Sequence, residues 1–321
     1  MSDRDPRWSL LAIGRFPDEV KTDFGEAFDC AFLDEVPPGG VNASLGAREA
    51  LIMSFGTELR ECAIQALPAT LKAIATYSVG YEHIDISAAK ARGLPVLNTP
   101  DVLTDAVAEV GMLLMLGAAR RATESIELIR GRNWPGWNAT QLIGIELLGK
   151  NLGILGMGRI GRGVAGRARA FGMNVHYHNR SRLAPELEDG ATYHVDFAGM
   201  AALTDVLMLA AQSNATTRHC LDAARIAQLK PGAIVCNVAR GDLIDDGALI
   251  AALRDGRVRA AGLDVFENEP KVDPRYFDLP NVFMLPHIGS STIETRRRMA
   301  RALVDGLLVL KAGGKASNRV V

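Results

Sequence analysis

Cysteine is scarce in this chain: four in 321 residues, at Cys30, Cys62, Cys220 and Cys236. No two form a CxxC, so neither a disulfide framework nor a thiolate zinc site is suggested. An excess of charge of one sign is also missing. Lys and Arg total 36 against 37 Asp and Glu, a formal net charge of −1. Nucleic-acid and membrane-surface binders usually carry a basic excess, so neither partner is expected. The longest greasy run, VGMLLMLGAA near Met112, is too short to span a bilayer. The opening MSDRDPRW is charged and lacks the apolar core of a signal peptide, which makes a reducing cytoplasm the default location. His176 and His178 share one strand face, but nothing in the sequence places His194 beside them as a third ligand. No metal is expected.

What is present is an alternation of short apolar runs and amphipathic segments. WSLLAIG, ALIMSF, LKAIATYS and LPVLNTP read as buried strands, with TELRECAIQAL and SAAKARG as helices among them. The same alternation resumes at NLGILGMG and runs through MNVHYHN, DVLMLAA, GAIVCNV and RAAGLDV. Strands alternating with helices imply parallel α/β sheets, and the length suffices for two domains. Helical spacing predicts one long helix from about Val102 to Arg121. Another is predicted in the tail SSTIETRRRMARALVDGLLVLKAGG, with Ser/Thr to cap its start and Gly-Gly after its end.

Gly156, Gly158 and Gly161 form G-x-G-x-x-G, filled in by Met157, Arg159 and Ile160. The bare pattern is weak in a chain with 32 glycines. Its context is stronger: an apolar strand leads in, a helix-like run leads out, and a second strand follows at βαβ distance. Such a loop lets a pyrophosphate approach the backbone at a helix N-terminus. A dinucleotide fold of this kind usually ends its second strand in Asp or Glu, which holds the ribose 2′-hydroxyl and repels a 2′-phosphate. Here that position is Asn179, followed by Arg180, Ser181 and Arg182. The repulsion is gone and two phosphate donors are added, so NADPH is expected, with NADH weaker. Glu186 and Glu188 lie too far along to replace the acid without an unusual loop.

Three later segments each carry charged groups at a strand end. CNVARGDLID presents Arg240, GLDVFENEP presents Asp264 and Glu269, and FMLPHIGSST presents His287. Singly, each has an ordinary reading: a surface ion pair, a solvated loop acid, a structural histidine. Strand C-termini of a parallel sheet share one edge, where ligands bind, so together they favour a site.

With these residues in view, the chain resembles the D-isomer-specific 2-hydroxyacid dehydrogenases, particularly their NADP-type glyoxylate/hydroxypyruvate reductase branch. SVGYEHID, GLPVLNTPDVLTDAVAE, GKNLGILGMGRIG, VNVARGDLID (here CNVARGDLID), GLDVFENEP and PHIGSST stand in the family's order and spacing over almost the whole chain. The resemblance implies two Rossmann/flavodoxin-like, doubly wound parallel-sheet domains with a cleft between them. Residues 1–101 plus 288–321 would form a discontinuous substrate domain, and 102–287 the coenzyme domain. It implies hydride transfer to a small 2-keto acid. Arg240 would bind the carboxylate, His287 would donate the proton, and Glu269 would orient His287 and favour its protonated form. Val79 and Gly80 would offer amides to the substrate, with Ser54 and Phe55 lining the pocket. Thr104, the Val238 carbonyl, Ala239 and Asp264 would lie on the nicotinamide side. Trp134 or Trp137 would approach the partner subunit's pocket in a homodimer.

Gln212 departs from the family, which often has proline there. Glu269 argues against formate dehydrogenase chemistry, where glutamine pairs with the histidine. Two alternatives stand beside the leading reading: a reductase of larger 2-keto acids, and a nucleotide-sensing, dimeric corepressor-like binding protein.

Overall fold

The computed structural model describes residues 7–54 and 56–321; Phe55 and the first six residues lie outside that description. The chain divides into two compact units. Residues 1–103 and 290–321 form the first, and 104–289 the second.

The first unit is built on five parallel strands: β1 (Ser9–Ile13), β2 (Asp29–Leu33), β3 (Ala50–Ser54), β4 (Ala73–Tyr77) and β5 (Val96–Leu97), in the order β2-β1-β3-β4-β5. The second has seven parallel strands: β6 (Asn151–Leu155), β7 (Asn174–His178), β8 (Thr192–His194), β9 (Val206–Leu209), β10 (Ala233–Asn237), β11 (Val258–Leu263) and β12 (Val282–Met284). Their order is β12-β11-β10-β9-β6-β7-β8. Both are doubly wound sheets. The winding reverses between β1 and β3 in one and between β6 and β9 in the other, and such reversals open crevices at strand C-termini. Strands covered on both faces read as continuous apolar runs, as VLML of β9 and AIVCN of β10 do; every residue of both is buried.

The helix predicted from Val102 to Arg121 spans Thr104–Ala119, and a second one, Ala122–Arg130, follows it after Arg121, whose φ is 55°. The Arg121 guanidinium forks onto Glu124 at 2.8 and 2.6 Å. The Ala119 carbonyl accepts the Ile145 amide at 2.9 Å. Ala-Arg-Arg-Ala favours helix locally, and these partners fix where the first helix stops. The tail helix spans Ile293–Lys311, capped by the Thr292 hydroxyl, which accepts the Thr295 amide.

That last helix completes the first unit. Arg297 forks onto Asp23, whose side chain is mostly covered, in the helix Asp18–Ala27, at 2.9 and 3.0 Å, and Arg301 lies 3.7 Å from the same carboxylate. Beyond the helix, Val320 donates to the Val96 carbonyl at 2.7 Å, and Asn98 to that of Asn318 at 3.1 Å. The Arg297 fork, against the opposing effect of burial, holds the Asp23 carboxyl below its ordinary range.

A depressed carboxyl contributes stability that is present above its unfolded pKa and lost as pH falls through the folded one. Asp23→Asn is therefore expected to cost about 1–3 kcal/mol at neutral pH, between the values for exposed and buried pairs. Denaturant melts at neutral pH and at about pH 3 check this: the gap from wild type should close in acid. An equal gap at both would show that charge is not what Asp23 contributes.

Candidate active site

The glycine loop leaves β6 at Leu155. Gly156 has φ 99°, and a Cβ there would lie 2.4 Å from the Ala211 nitrogen. A Cβ on Gly161 would lie 2.4 Å from the Gly156 oxygen, whereas one on Gly158 would meet nothing within 4 Å. The three glycines thus supply a tight turn, an open approach to the backbone, and close packing of helix on strand. Gly158 precedes the helix Arg159–Ala170, with Arg159 and Ile160 in its first turn. A helix N-terminus of this kind suits the pyrophosphate of a dinucleotide. Met157 is buried, and its amide donates to Asn179 Oδ1 at 2.7 Å. Asn179 therefore ties the end of β7 to the glycine loop.

Beyond Asn179, the side chains of Arg180 and Ser181 are exposed. Arg182 forks onto Glu188 at 2.8 and 3.0 Å. The short helix Pro185–Glu188 brings Glu188 back, within reach of a residue six positions earlier. Arg182 first, then the Tyr177 hydroxyl at 2.6 Å, holds the Glu188 carboxyl down to about 2. His194 lies beside His176 and His178, an adjacency that no sequence pattern predicts. β8 pairs with β7 so that His178 faces His194, and His176 Nδ1 is 3.0 Å from His194 Nε2. Among the described residues, no group of three or more His, Cys, Asp or Glu side chains could hold a metal.

Arg240, Asp264 and His287 follow β10, β11 and β12 at the same edge of the sheet. His287 Nδ1 is 2.6 Å from Glu269 Oε2, and Glu269 Oε1 accepts the Phe266 amide at 2.8 Å. With Nδ1 turned to the carboxylate, Nε2 is the ring edge that can meet a ligand. Burial alone would raise the Glu269 carboxyl. The His287 hydrogen bond and charge, the Phe266 amide and the Arg240 charge outweigh it and hold the group below its ordinary range. Arg240 donates from Nη1 to the Ala239 carbonyl at 2.7 Å.

His287 has φ 54°, a left-handed conformation that costs free energy in a non-glycine residue. Asp264 holds it there. The Asp264 carbonyl accepts the His287 amide, and the two carboxylate oxygens accept the Ile288 and Gly289 amides, all at 2.8 Å. Burial pushes the Asp264 carboxyl up, and those amides and the His287 charge oppose the shift.

Two positions missed in the sequence complete this edge. Asn237 is fully buried. Its side chain donates to the Arg240 carbonyl at 2.8 Å and accepts the Ala239 amide at 2.9 Å, and its own carbonyl accepts the Asp264 amide at 3.1 Å. A polar residue ending an otherwise apolar strand was the available signal. Gly241 faces the Phe266 backbone so closely that a Cβ would lie 1.8 Å from its carbonyl carbon. Val238 is buried, and Thr104 stands beside the glycine-loop helix, its Cγ2 3.5 Å from a Cβ placed on Gly163. The loop bearing Gln212 is closed by Thr217, whose hydroxyl donates to the Gln212 carbonyl at 2.8 Å.

In the first unit, Ser54 ends β3 and the Val79–Gly80 segment follows β4. The carbonyls of that segment are engaged inward: Asn98 Nδ2 donates to Val79 at 2.8 Å and the Ser78 hydroxyl to Gly80 at 2.6 Å. Phe55 lies outside the described residues. Trp134 is half exposed, with its indole N–H donating to Gln141 at 3.3 Å, and Trp137 is almost fully exposed.

A family model described as "D-isomer specific 2-hydroxyacid dehydrogenase, NAD binding domain" matches residues 112–289. The chain is 42% identical over 271 residues to a glycerate dehydrogenase of Hyphomicrobium methylovorum, covering 84% of each. It is 44% identical over 307 residues to 4-methyl-2-oxopentanoate reductase A of Aspergillus oryzae, covering 96% of this chain and 90% of that one. Among solved structures, an NADPH-dependent glyoxylate/hydroxypyruvate reductase from Sinorhizobium meliloti, in complex with NADP and malonate, is 34% identical. It superposes with a TM-score of 0.88 over 98% of this chain and 97% of that one.

Asp264→Asn would turn an amide N–H₂ toward a backbone N–H. The expected result is a loss of about 1–3 kcal/mol of stability, with faster hydrogen exchange at Ile288 and Gly289. Unchanged exchange at both amides would show that the carboxylate does not hold the turn.

Proposed function

The chain belongs to the D-isomer specific 2-hydroxyacid dehydrogenase family, and from that premise we propose that it reduces a small 2-keto acid, glyoxylate or hydroxypyruvate, to the D-2-hydroxy acid, with NADPH preferred over NADH. The observation that carries the chemistry is the 2.6 Å contact of His287 with Glu269, on the sheet edge that also bears Arg240. A bound nicotinamide would supply the hydride. Arg240 binds the substrate carboxylate through its planar fork and polarises the carbonyl. His287 Nε2 gives the carbonyl oxygen its proton, and the Glu269 carboxylate orients the ring and offsets its charge. In the first unit, Val79 and Gly80 offer amides to the substrate beside Ser54, and the partner's Trp134 contacts it. Thr104, Val238, Ala239 and Asp264 attend the nicotinamide side. The exposed Ile126, Ile129, Trp137, Ile143 and Leu148 of the second unit support a homodimer.

NADPH preference is supported by Asn179 standing where an acid would repel a 2′-phosphate, with Arg180 after it, and by the NADPH-dependent relative. A second reading, reduction of branched or larger 2-keto acids, has its own support in the 44% identity to a 4-methyl-2-oxopentanoate reductase.

Initial rates on glyoxylate, hydroxypyruvate and 4-methyl-2-oxopentanoate, each with NADPH and NADH, separate these readings. Fast turnover of the first two with NADPH is expected. Turnover of the third alone would favour the second reading, and none with any would remove the reductase assignment. Glu269→Gln should lower kcat by about 10²-fold with KM little changed. A kcat equal to that of wild type would dismiss the pairing.

A further inference from the structure

Two arginines follow β7, and their surroundings differ. Arg182 is pinned side-on, with Nε 2.8 Å from Glu188 Oε1 and Nη2 3.0 Å from Oε2. Glu188 is only 7% exposed, although Arg182 itself lies largely in solvent. The same carboxylate accepts the hydroxyl of the fully buried Tyr177 at 2.6 Å, and that hydroxyl accepts the Leu183 amide at 3.0 Å. Arg169 fixes the socket from behind, donating to the Glu188 carbonyl at 2.9 Å and to Asp189 at 2.8 Å. Arg182 also sits over the Tyr193 ring, 6.0 Å from its centroid. If Arg182 swung away to meet a ligand, a buried carboxylate would be left without its cation, a costly state.

Arg180 is the reverse case. Its backbone is anchored, because the preceding Asn179 is tied to the Met157 amide. Its side chain is exposed and has no hydrogen bond or ion pair among the described residues.

We propose that the two arginines have separate roles at the adenosine end of the site: Arg180, with Ser181, recognises the 2′-phosphate, while Arg182 is a brace locked by Glu188 that shapes the loop. This deepens the NADPH reading above and rests on it. Arg182 is then a positioning residue, and substituting it loosens the segment that carries Arg180.

The test is calorimetric binding of 2′,5′-ADP and 5′-AMP to the full chain, with melting temperatures taken alongside. Neither probe reacts, so turnover does not enter. Wild type should bind 2′,5′-ADP about tenfold or more tighter than 5′-AMP, the scale of charge-assisted hydrogen bonds. Arg180→Ala should bring that ratio close to one with an unchanged melting temperature. Arg182→Ala should lower the melting temperature and weaken both probes alike. Arg182→Met combined with Glu188→Gln removes both charges together; it should recover the melting temperature and keep the ratio within about threefold of wild type. The proposal is overturned if Arg180→Ala, an exposed change, keeps the wild-type ratio, or if the double variant folds and loses it. A wild type with no preference would instead overturn the NADPH reading, and the division of roles would fall with it.

Discussion

Both oxygens of one buried carboxylate, that of Asp264, are engaged by the turn that carries His287. Most of the site's geometry depends on this. The His287 backbone sits in a left-handed conformation that a side-chain-bearing residue adopts only when its surroundings impose it. Three hydrogen bonds to Asp264 impose it here, and the imidazole is thereby aimed at Glu269. Asp264 is itself held by the Asn237 carbonyl, and the Asn237 side chain holds the Arg240 segment. One chain of buried polar contacts thus runs from the strand end bearing the arginine to the turn bearing the histidine. Satisfied buried networks of this kind rigidify what they connect.

The sequence made the architecture legible because buried parallel strands have a strong signature. Runs such as AIVCN and VLML are apolar on both faces, and the helices between them have the right period. The shared placement of Arg240, Asp264 and His287 was legible for a related reason: a charged residue just after such a run falls at the strand C-terminus, and C-termini share an edge. The contacts between the groups were not legible. Asn179 reads as a missing acid, and only the folded loop gives its side chain to the Met157 amide. The pairing of Arg182 with Glu188 has no sequence signal, since distance along the chain says nothing of a four-residue helix that folds back. His194 reads as unrelated to His176 until the β7–β8 register is known.

Close approaches explain a further part of what sequence cannot show. Gly241 reads as one glycine among 32, yet it alone allows the Phe266 backbone to lie against the Arg240 segment. Because Glu269 accepts the Phe266 amide, the position of that carboxylate depends on an absent Cβ on another loop. That carboxylate and the small residue that positions it are thus 28 residues apart and carry no common signal.

The final helix has a consequence for how the molecule is made. Asp23 finds Arg297, and β5 finds its tail partner, only after every residue of the second unit has been synthesised. On a ribosome, domains tend to fold in the order in which they emerge. Here the unit that starts first cannot finish first. Its five strands leave the exit tunnel with one helix still untranslated, and they must wait, incompletely covered, while the coenzyme-type unit folds. The N-terminal segment is therefore the one most dependent on early protection in the cell, although it is the older part of every nascent chain.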